Sequence, residues 1–348
     1  MRNKPASKKP RWSTSKAVKE YHRQQQSADQ SLLTARAEVN QLKHQLAAER
    51  KARERLENTL QDLRSSRVKL RLDRKARASK GGVTLRVIVP DSHGCFIDQQ
   101  AASAMLADIR MLKPDSIIML GDHLDCGGFL AEHHTWGYVA EANYTFEDDC
   151  NATNQFLDEL QSAAPQATIE YLEGNHERRI EKWIVTDTLK SGKGGKRDVA
   201  LIASYFSTAV VLQLPKRGIA LFEQGKWYDN CQVPGTIQRD NCYFTHGQYT
   251  SKAAAAAHLA KYNANIWFGH THRMDLATKR TVDSGPIGAW NPGCLCQLQP
   301  YWMHQNLTDW VNGYGIQLVQ RGLGHLNLQI PIIEGVSYLS PLIRRGAA

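Results

Sequence analysis

Nowhere do the 348 residues hold an uninterrupted apolar run approaching a membrane-spanning helix, which needs about 20 residues. No apolar segment follows the basic N-terminus, as it would in a secretory leader. The seven cysteines (Cys95, Cys126, Cys150, Cys231, Cys242, Cys294, Cys296) include no CxxC pair, which argues against a disulfide scaffold. Cys294 and Cys296 are neighbours on an extended segment and read as buried thiols rather than as metal ligands. These absences predict a soluble chain in a reducing, cytoplasmic compartment, with no membrane partner.

Excess positive charge is missing from most of the chain. Residues 1–80 hold 22 Lys and Arg against 8 Asp and Glu, whereas the remainder holds 22 against 26. The formal net charge of +10 therefore belongs to an N-terminal arm, and attraction to a polyanion is expected from that arm. Residues 1–30 have little to bury and predict disorder or a short helix near Ser15–Gln26. From Leu32 to Leu70 strong helix formers dominate, and Leu32, Val39, Leu42, Leu46, Leu56, Leu60, Leu63 and Leu70 fall on one stripe. Glu49, Arg53 and Arg67 interrupt it. Residues 31–80 therefore read as a long helix with a basic hinge, either self-associating as a coiled coil (a homo-oligomer through 32–70) or lying as a single solvated helix on the domain that follows.

From Val83 to about residue 345 the pattern changes to alternating strands and helices. "LRVIVPD", "SIIMLGD", "ATIEYLEGN", "CYFTHG" and "NIWFGHTH" are apolar runs of strand length. Helices are expected over 97–112, over 145–160 with a Thr145/Asp148 cap, and over the Ala-rich 252–262. Strand–helix order early and short strands late predict an α/β class, a layered sandwich of two mixed β-sheets flanked by helices. Residues 186–240 read as an insertion or cap.

Five of these runs end in the same kind of side chain. They deliver Asp91 and His93; Asp122 and Asp125; Asn175 and His176; His246; and His270 and His272. Residues two apart on an extended segment project to one side, and strand C-terminal ends converge on one edge of an α/β sheet. Carboxylate, amide and imidazole donors in this number suit two divalent cations of the Mn²⁺, Fe or Zn²⁺ type sharing a carboxylate, Mn²⁺ first.

Asp91-x-His93, Gly121-Asp122-x-x-Asp125, Gly174-Asn175-His176-Glu177, His246 and Gly269-His270-x-His272 together resemble the five-motif signature of the calcineurin-like metallophosphoesterases, in the family's order, over residues 86–295. "WNPGCL" (290–295) resembles a segment that often follows the last motif. The resemblance implies a helix-flanked β-sandwich with a two-metal centre. Asp91, His93 and His272 would hold one ion, Asn175, His246 and His270 the second, with Asp122 bridging. His176 would be the acid or charge stabiliser at the phosphate, oriented by Asp125. Two cations about 3.5–4 Å apart activate a shared water and stabilise both oxygens of an in-line displacement at phosphorus. Glu177 reads either as a cap for the next helix or as support behind the ligands.

The substrate is less legible. Family members that act on phosphoproteins carry arginine clamps where this chain has Cys126 and Glu173. Arg178, Arg179 and Arg273 are the remaining candidates for substrate contact, although Arg178 and Arg179 read first as surface charges on a helix's first turn. The catalytic part is most similar to phage and bacterial phosphoesterases, which distantly resemble DNA-repair nucleases. With the basic arm and aromatics for base stacking (Trp136, Tyr138, Tyr144, Trp290, Tyr301, Trp302), a DNA phosphodiesterase is the leading expectation. A phosphomonoesterase or small-molecule phosphodiesterase comes second, and an assembly protein with a vestigial site third.

Overall fold

The computed structural model describes residues 82–339 apart from 128–129, 131–144, 191–194, 283–284, 301–302, 304–305 and 321–323, together with Lys19, Glu20 and Arg23. Those three are helical and exposed, inside the stretch expected as a short helix. The leucine stripe, the rest of the arm, and the aromatics at 136, 138, 144, 301 and 302 lie outside the described residues.

Four parallel strands form the heart of the first sheet: β1 (Val83–Val89), β2 (Ser116–Met119), β3 (Thr168–Leu172) and β4 (Ala220–Phe222). The chain crosses between the first three through α1 (Gln99–Leu112) and α2 (Phe146–Ala163). Both helices are started by their own side chains. Asp98 accepts from the amides of Gln100 and Ala101, and Thr145 with Asp148 forms a reciprocal capping box, each worth about 1 kcal/mol. α1 begins two residues later than its apolar pattern suggests because Ile97 is bridged to Cys296.

After β3 come four helices: α3 (Arg178–Lys190), α4 (Lys196–Ala203), α5 (Thr208–Val211) and α6 (Leu214–Arg217). The second sheet follows, with β5 (Thr236–Arg239), β6 (Cys242–Thr245), α7 (Ala254–Tyr262), β7 (Asn265–Phe268), β8 (Met274–Thr281) and β9 (Gly285–Pro292). The chain then returns to the first sheet as β10 (Gly313–Gln320), β11 (Gly324–Ile333) and β12 (Val336–Ser337). The sheet orders are β12-β11-β10-β1-β2-β3-β4 and β5-β6-β7-β9-β8. Within residues 186–240, β4 and β5 each belong to a sheet. This corrects the reading of that stretch as an insertion: it carries framework strands.

Alternation along the strands sorts the core into layers. Val87, Val89, Ile117 and Met119 face α1 and α2, while Ile88, Ile118 and Leu120 face the second sheet and meet Ile237, Phe244 and Trp267. Strands buried on both faces must be largely apolar, as "VIV" and "IIM" are. The outer face of the second sheet is covered by α7 through Ala255, Leu259, Ile266 and Phe268. The result is a four-layer helix–sheet–sheet–helix sandwich. Among the described residues no helix is long and apolar enough to cross a membrane.

Candidate metal centre

The loops after β1, β2, β3, β6 and β7 gather on one edge of the sandwich. They place Asp91, His93, Asp122, Asp125, His176, His246, His270 and His272 together, and the carboxamide of Asn175 reaches His246. The backbone is bent hard to achieve this. His93 (φ 53°), Asp122 (φ 52°), His270 (φ 71°) and His272 (φ 57°) all lie in the left-handed region, which non-glycine residues occupy at a cost of about 1 kcal/mol or more. Gly174 is required by contact, since a Cβ there would lie 2.1 Å from Asp122 Oδ1.

Tautomers follow from the outer hydrogen bonds. His246 Nδ1 donates to the Leu120 carbonyl at 2.9 Å, so in the neutral ring Nε2 carries a lone pair. Nε2 faces Asn175 Oδ1 at 2.9 Å, Asp122 Oδ2 at 3.1 Å and His270 Nδ1 at 3.1 Å. His93 Nδ1 donates to Asp125 Oδ1 at 3.0 Å, which turns its Nε2 toward His272 Nε2 at 3.0 Å. His272 Nε2 is in turn 3.2 Å from Asp91 Oδ2. Two knots of converging lone pairs result, one from Asp91, His93 and His272 and one from Asn175, His246 and His270, and Asp122 falls into candidate groups with both. Lone pairs repel unless a proton or a cation lies between them, and oxygen with imidazole nitrogen is the donor chemistry of borderline divalent ions. The residues present therefore fit divalent cations.

The electrostatics carry the same signature. Burial raises the Asp91 carboxyl, but its hydrogen bond to His272 and the His246 charge outweigh this and bring it to about 2. Burial lowers His246, but Asp122 and Asp91 drive it up to about 10. Burial likewise lowers His176, and Asp122 and Asp125 outweigh it, raising it to about 9. His270 goes the other way, to about 4, through burial and the His246 charge. Protons on His246 and His176 balance the buried carboxylates, the office a bound cation would take over.

His176 sits beside the knots. Its Nδ1 donates to the Asp125 carbonyl at 2.7 Å and lies 3.2 Å from Asp125 Oδ1. Its Nε2 is 3.2 Å from Arg179 Nη2 and 3.9 Å from Asp122 Oδ2. Arg179, expected as a surface charge, is buried, and its Nη1 donates to the Asp125 carbonyl at 2.9 Å; it braces the site. Arg178 is a surface charge, 3.8 Å from Glu181. Arg273 donates to the carbonyls of Thr250 and Ser251 at 3.1 and 2.6 Å. Trp290 is partly buried and packs on Trp267.

Of the two readings of Glu177, the geometry favours support behind the ligands. Glu177 is fully buried and accepts from the amides of Asp122, His123, Leu124 and Gly174 at 3.0, 2.7, 3.0 and 2.9 Å, and from the Tyr171 hydroxyl at 2.6 Å. It ties the β2 loop to the β3 loop and caps nothing. Asn291, in "WNPGCL", donates to Gly269 O and Thr271 Oγ1, both at 2.9 Å, and accepts from Gly293 N at 3.0 Å. Cys126 and Glu173, which stand where clamps would be, are both buried. Cys294 and Cys296 are buried too, and Cys296 Sγ, 3.8 Å from His272 Nδ1, forms a further candidate metal-holding group with His93 and His272.

A two-sheet sandwich with these groups at the strand ends decides the architecture. The fold is an α/β sandwich of two mixed sheets flanked by helices, as expected from the sequence. Comparison with protein-family models gives no match, and neither does comparison with curated proteins. Among solved structures the chain is similar to vacuolar protein sorting 29 of Cryptosporidium parvum, at 10% identity over 73% of this chain and 94% of that one, TM-score 0.36. It is also similar to Yfce, a phosphoesterase from E. coli, at 14% identity over 70% and 98%, TM-score 0.32. Vps29 of Chaetomium thermophilum matches at 12% identity over 73% and 90%, TM-score 0.32. Likenesses this remote carry no argument about activity.

Proposed function

We propose that this chain is a metal-dependent phosphoester hydrolase, holding two divalent cations (Mn²⁺ first, Fe or Zn²⁺ as alternatives), and that its substrate is a phosphodiester of DNA. The observation that carries the hydrolase reading is the pair of lone-pair knots meeting at Asp122. When bound, such cations supply Lewis-acid stabilisation at phosphorus and an activated water. The chain's own contribution is positional. Asp91, His93 and His272 would hold one cation and Asn175, His246 and His270 the other, with Asp122 within reach of both groups. His176, protonated on both nitrogens, would keep one proton on Nδ1 against Asp125 and give the other, on Nε2, to the leaving oxygen.

The diester preference is supported by where the arginines point. Arg178 meets Glu181, Arg273 is committed to two carbonyls, and Arg179 is buried behind His176. A dianionic monoester gains most from a guanidinium fork; Arg179 and Arg273 are turned to backbone carbonyls instead, and Arg178 pairs at the surface with Glu181. The basic arm at residues 1–80 would add salt-dependent affinity for a phosphodiester backbone, with 32–70 joining copies of the chain.

The test is hydrolysis of bis-p-nitrophenyl phosphate and of labelled single- and double-stranded DNA with Mn²⁺, beside phosphate release from nucleotides and phosphopeptides. Cleavage of the diesters, abolished by Asp122→Asn, is the expected result. Asp122→Asn protein with full activity would sink the metal reading, and faster turnover of monoesters would replace the diester reading. Removal of residues 1–80 is expected to flatten the salt dependence of DNA binding and to reduce the oligomeric mass.

A further inference from the structure

The loop after β2 carries both Asp122 and Asp125, and five consecutive amides of that loop end on two buried carboxylates. Glu177 takes residues 122, 123 and 124. Asp149, fully buried on the first turn of α2, takes the next two: Oδ1 accepts from Asp125 N at 3.3 Å and Oδ2 from Cys126 N at 2.8 Å. Asp149 Oδ1 also accepts from Cys95 N at 3.3 Å, in the short 3₁₀ turn Gly94–Phe96 that follows His93. A Cβ at Gly94 would lie 1.6 Å from that oxygen, so the turn approaches as closely as a glycine allows. One helical turn further along α2, Thr153 Oγ1 donates to the carbonyl of His123 at 3.0 Å. α2 therefore grips the loop through both an acceptor and a donor.

We infer that Asp149 is a positioning residue of the hydrolytic site: from α2 it sets the place of Asp125, and through Asp125 those of His176 and His93. The inference rests on the hydrolase reading above. Asp125 meets His93 Nδ1 at 3.0 Å and His176 Nδ1 at 3.2 Å through one oxygen, and its carbonyl serves His176 and Arg179. A backbone shift at 125 moves all four contacts at once. Glu177 reaches the amides as far as Leu124, and Asp149 takes up the next two. The neighbouring acids on α2 divide the work: Asp148 is exposed and closes the capping box, whereas Asp149 points inward. Asparagine at 149 keeps the shape but turns an NH₂ toward an amide that needs an acceptor.

The experiment compares full-length wild type, Asp149→Asn, Thr153→Val and Leu160→Ala. Leu160 is buried on the same helix and makes no polar contact with the loop, so it reports the cost of loosening α2 alone. Two quantities are read below all melting temperatures: kcat and KM on bis-p-nitrophenyl phosphate, and Mn²⁺ affinity by calorimetry. Asp149→Asn is expected to lower kcat by about 10- to 100-fold with KM within about twofold, and to weaken Mn²⁺ binding by about 10-fold, the scale of lost outer partners of metal ligands. Thr153→Val, the gentler change that keeps the helix folded, should move both in the same direction by about threefold. Leu160→Ala should move neither. Asp149→Asn and Thr153→Val proteins with both quantities within about twofold of wild type, or a Leu160→Ala protein that loses as much as they do, would overturn the inference. If wild type hydrolyses no phosphoester, the hydrolase reading falls, and the Mn²⁺ series alone decides whether Asp149 places the ligands.

Discussion

The first sheet and the second sheet each lend loops to the metal centre, but they hold those loops by different means. The loops after β2 and β3 hang from dedicated buried carboxylates that face no cation. Among the described residues, those after β6 and β7 have none. His270 N is held by Asp91 itself, at 3.1 and 3.0 Å from its two oxygens. Gly269 N donates to His246 O at 2.8 Å, and the Asn291 amide secures Gly269 and Thr271. One half of the site is thus held mainly by scaffolding separate from the chemistry, with Asp122 itself taking only the His176 amide at 2.8 Å. In the other half a ligand carboxylate from the first sheet also props the backbone of the second. Removing Asp91 should disturb both halves, whereas removing a ligand of the second knot should leave the first in place.

The sharpest break is at Asp122, where the halves meet. Asp122→Asn should cost about 10³-fold or more in kcat on a diester and remove one of the two bound cations, read by metal analysis. Next comes Glu177→Gln. With four amides and a hydroxyl aimed at it, an NH₂ in place of one oxygen leaves buried donors opposed, and a loss of about 2–4 kcal/mol is expected in urea unfolding. Asn291→Ala loosens only the second-sheet loop, so a loss of about 1–2 kcal/mol is expected, with cation binding by Asp91 and His93 retained. The effect at Glu173 depends on pH. Burial raises its carboxyl to about 7, against the hydrogen bond it accepts from Gln224 N. An acid whose folded pKa is raised binds more protons in the native state, so stability falls as pH rises from about 4.5 through 7. Glu173→Gln should therefore raise the melting temperature at pH 8, by the equivalent of about 1–3 kcal/mol, and leave it unchanged near pH 4.

The asymmetry between the sheets explains what the sequence could reveal. Ligands sit at strand ends behind glycines, and apolar runs that stop at Asp, Asn or His are visible without coordinates. α1, α2 and the parallel strands were legible because period-2 and period-3.6 patterns are strong where both faces are buried. Asp149 was not legible, because an acid on a helix's first turn reads as a cap, and its neighbour Asp148 is one. Arg179 was hidden for a similar reason: one turn of helix contains both an outward and an inward arginine, and periodicity alone does not say which faces in. The framework role of residues 186–240 was obscured by strand brevity, since β4 has three residues and β5 four.

The left-handed backbone at His93, Asp122, His270 and His272 restricts which replacements the chain tolerates there at all. Asparagine, aspartate, histidine and glycine enter that conformation most readily, whereas β-branched residues are strongly disfavoured. Variation at these positions is therefore filtered twice, once by coordination and once by conformation. A chain that had lost its chemistry would still be steered toward a small polar alphabet at these positions, so retained Asp and His there would by themselves be poor witnesses of activity. The informative positions are His246 and Asp91, whose φ is unexceptional and whose side chains are constrained only by what they hold.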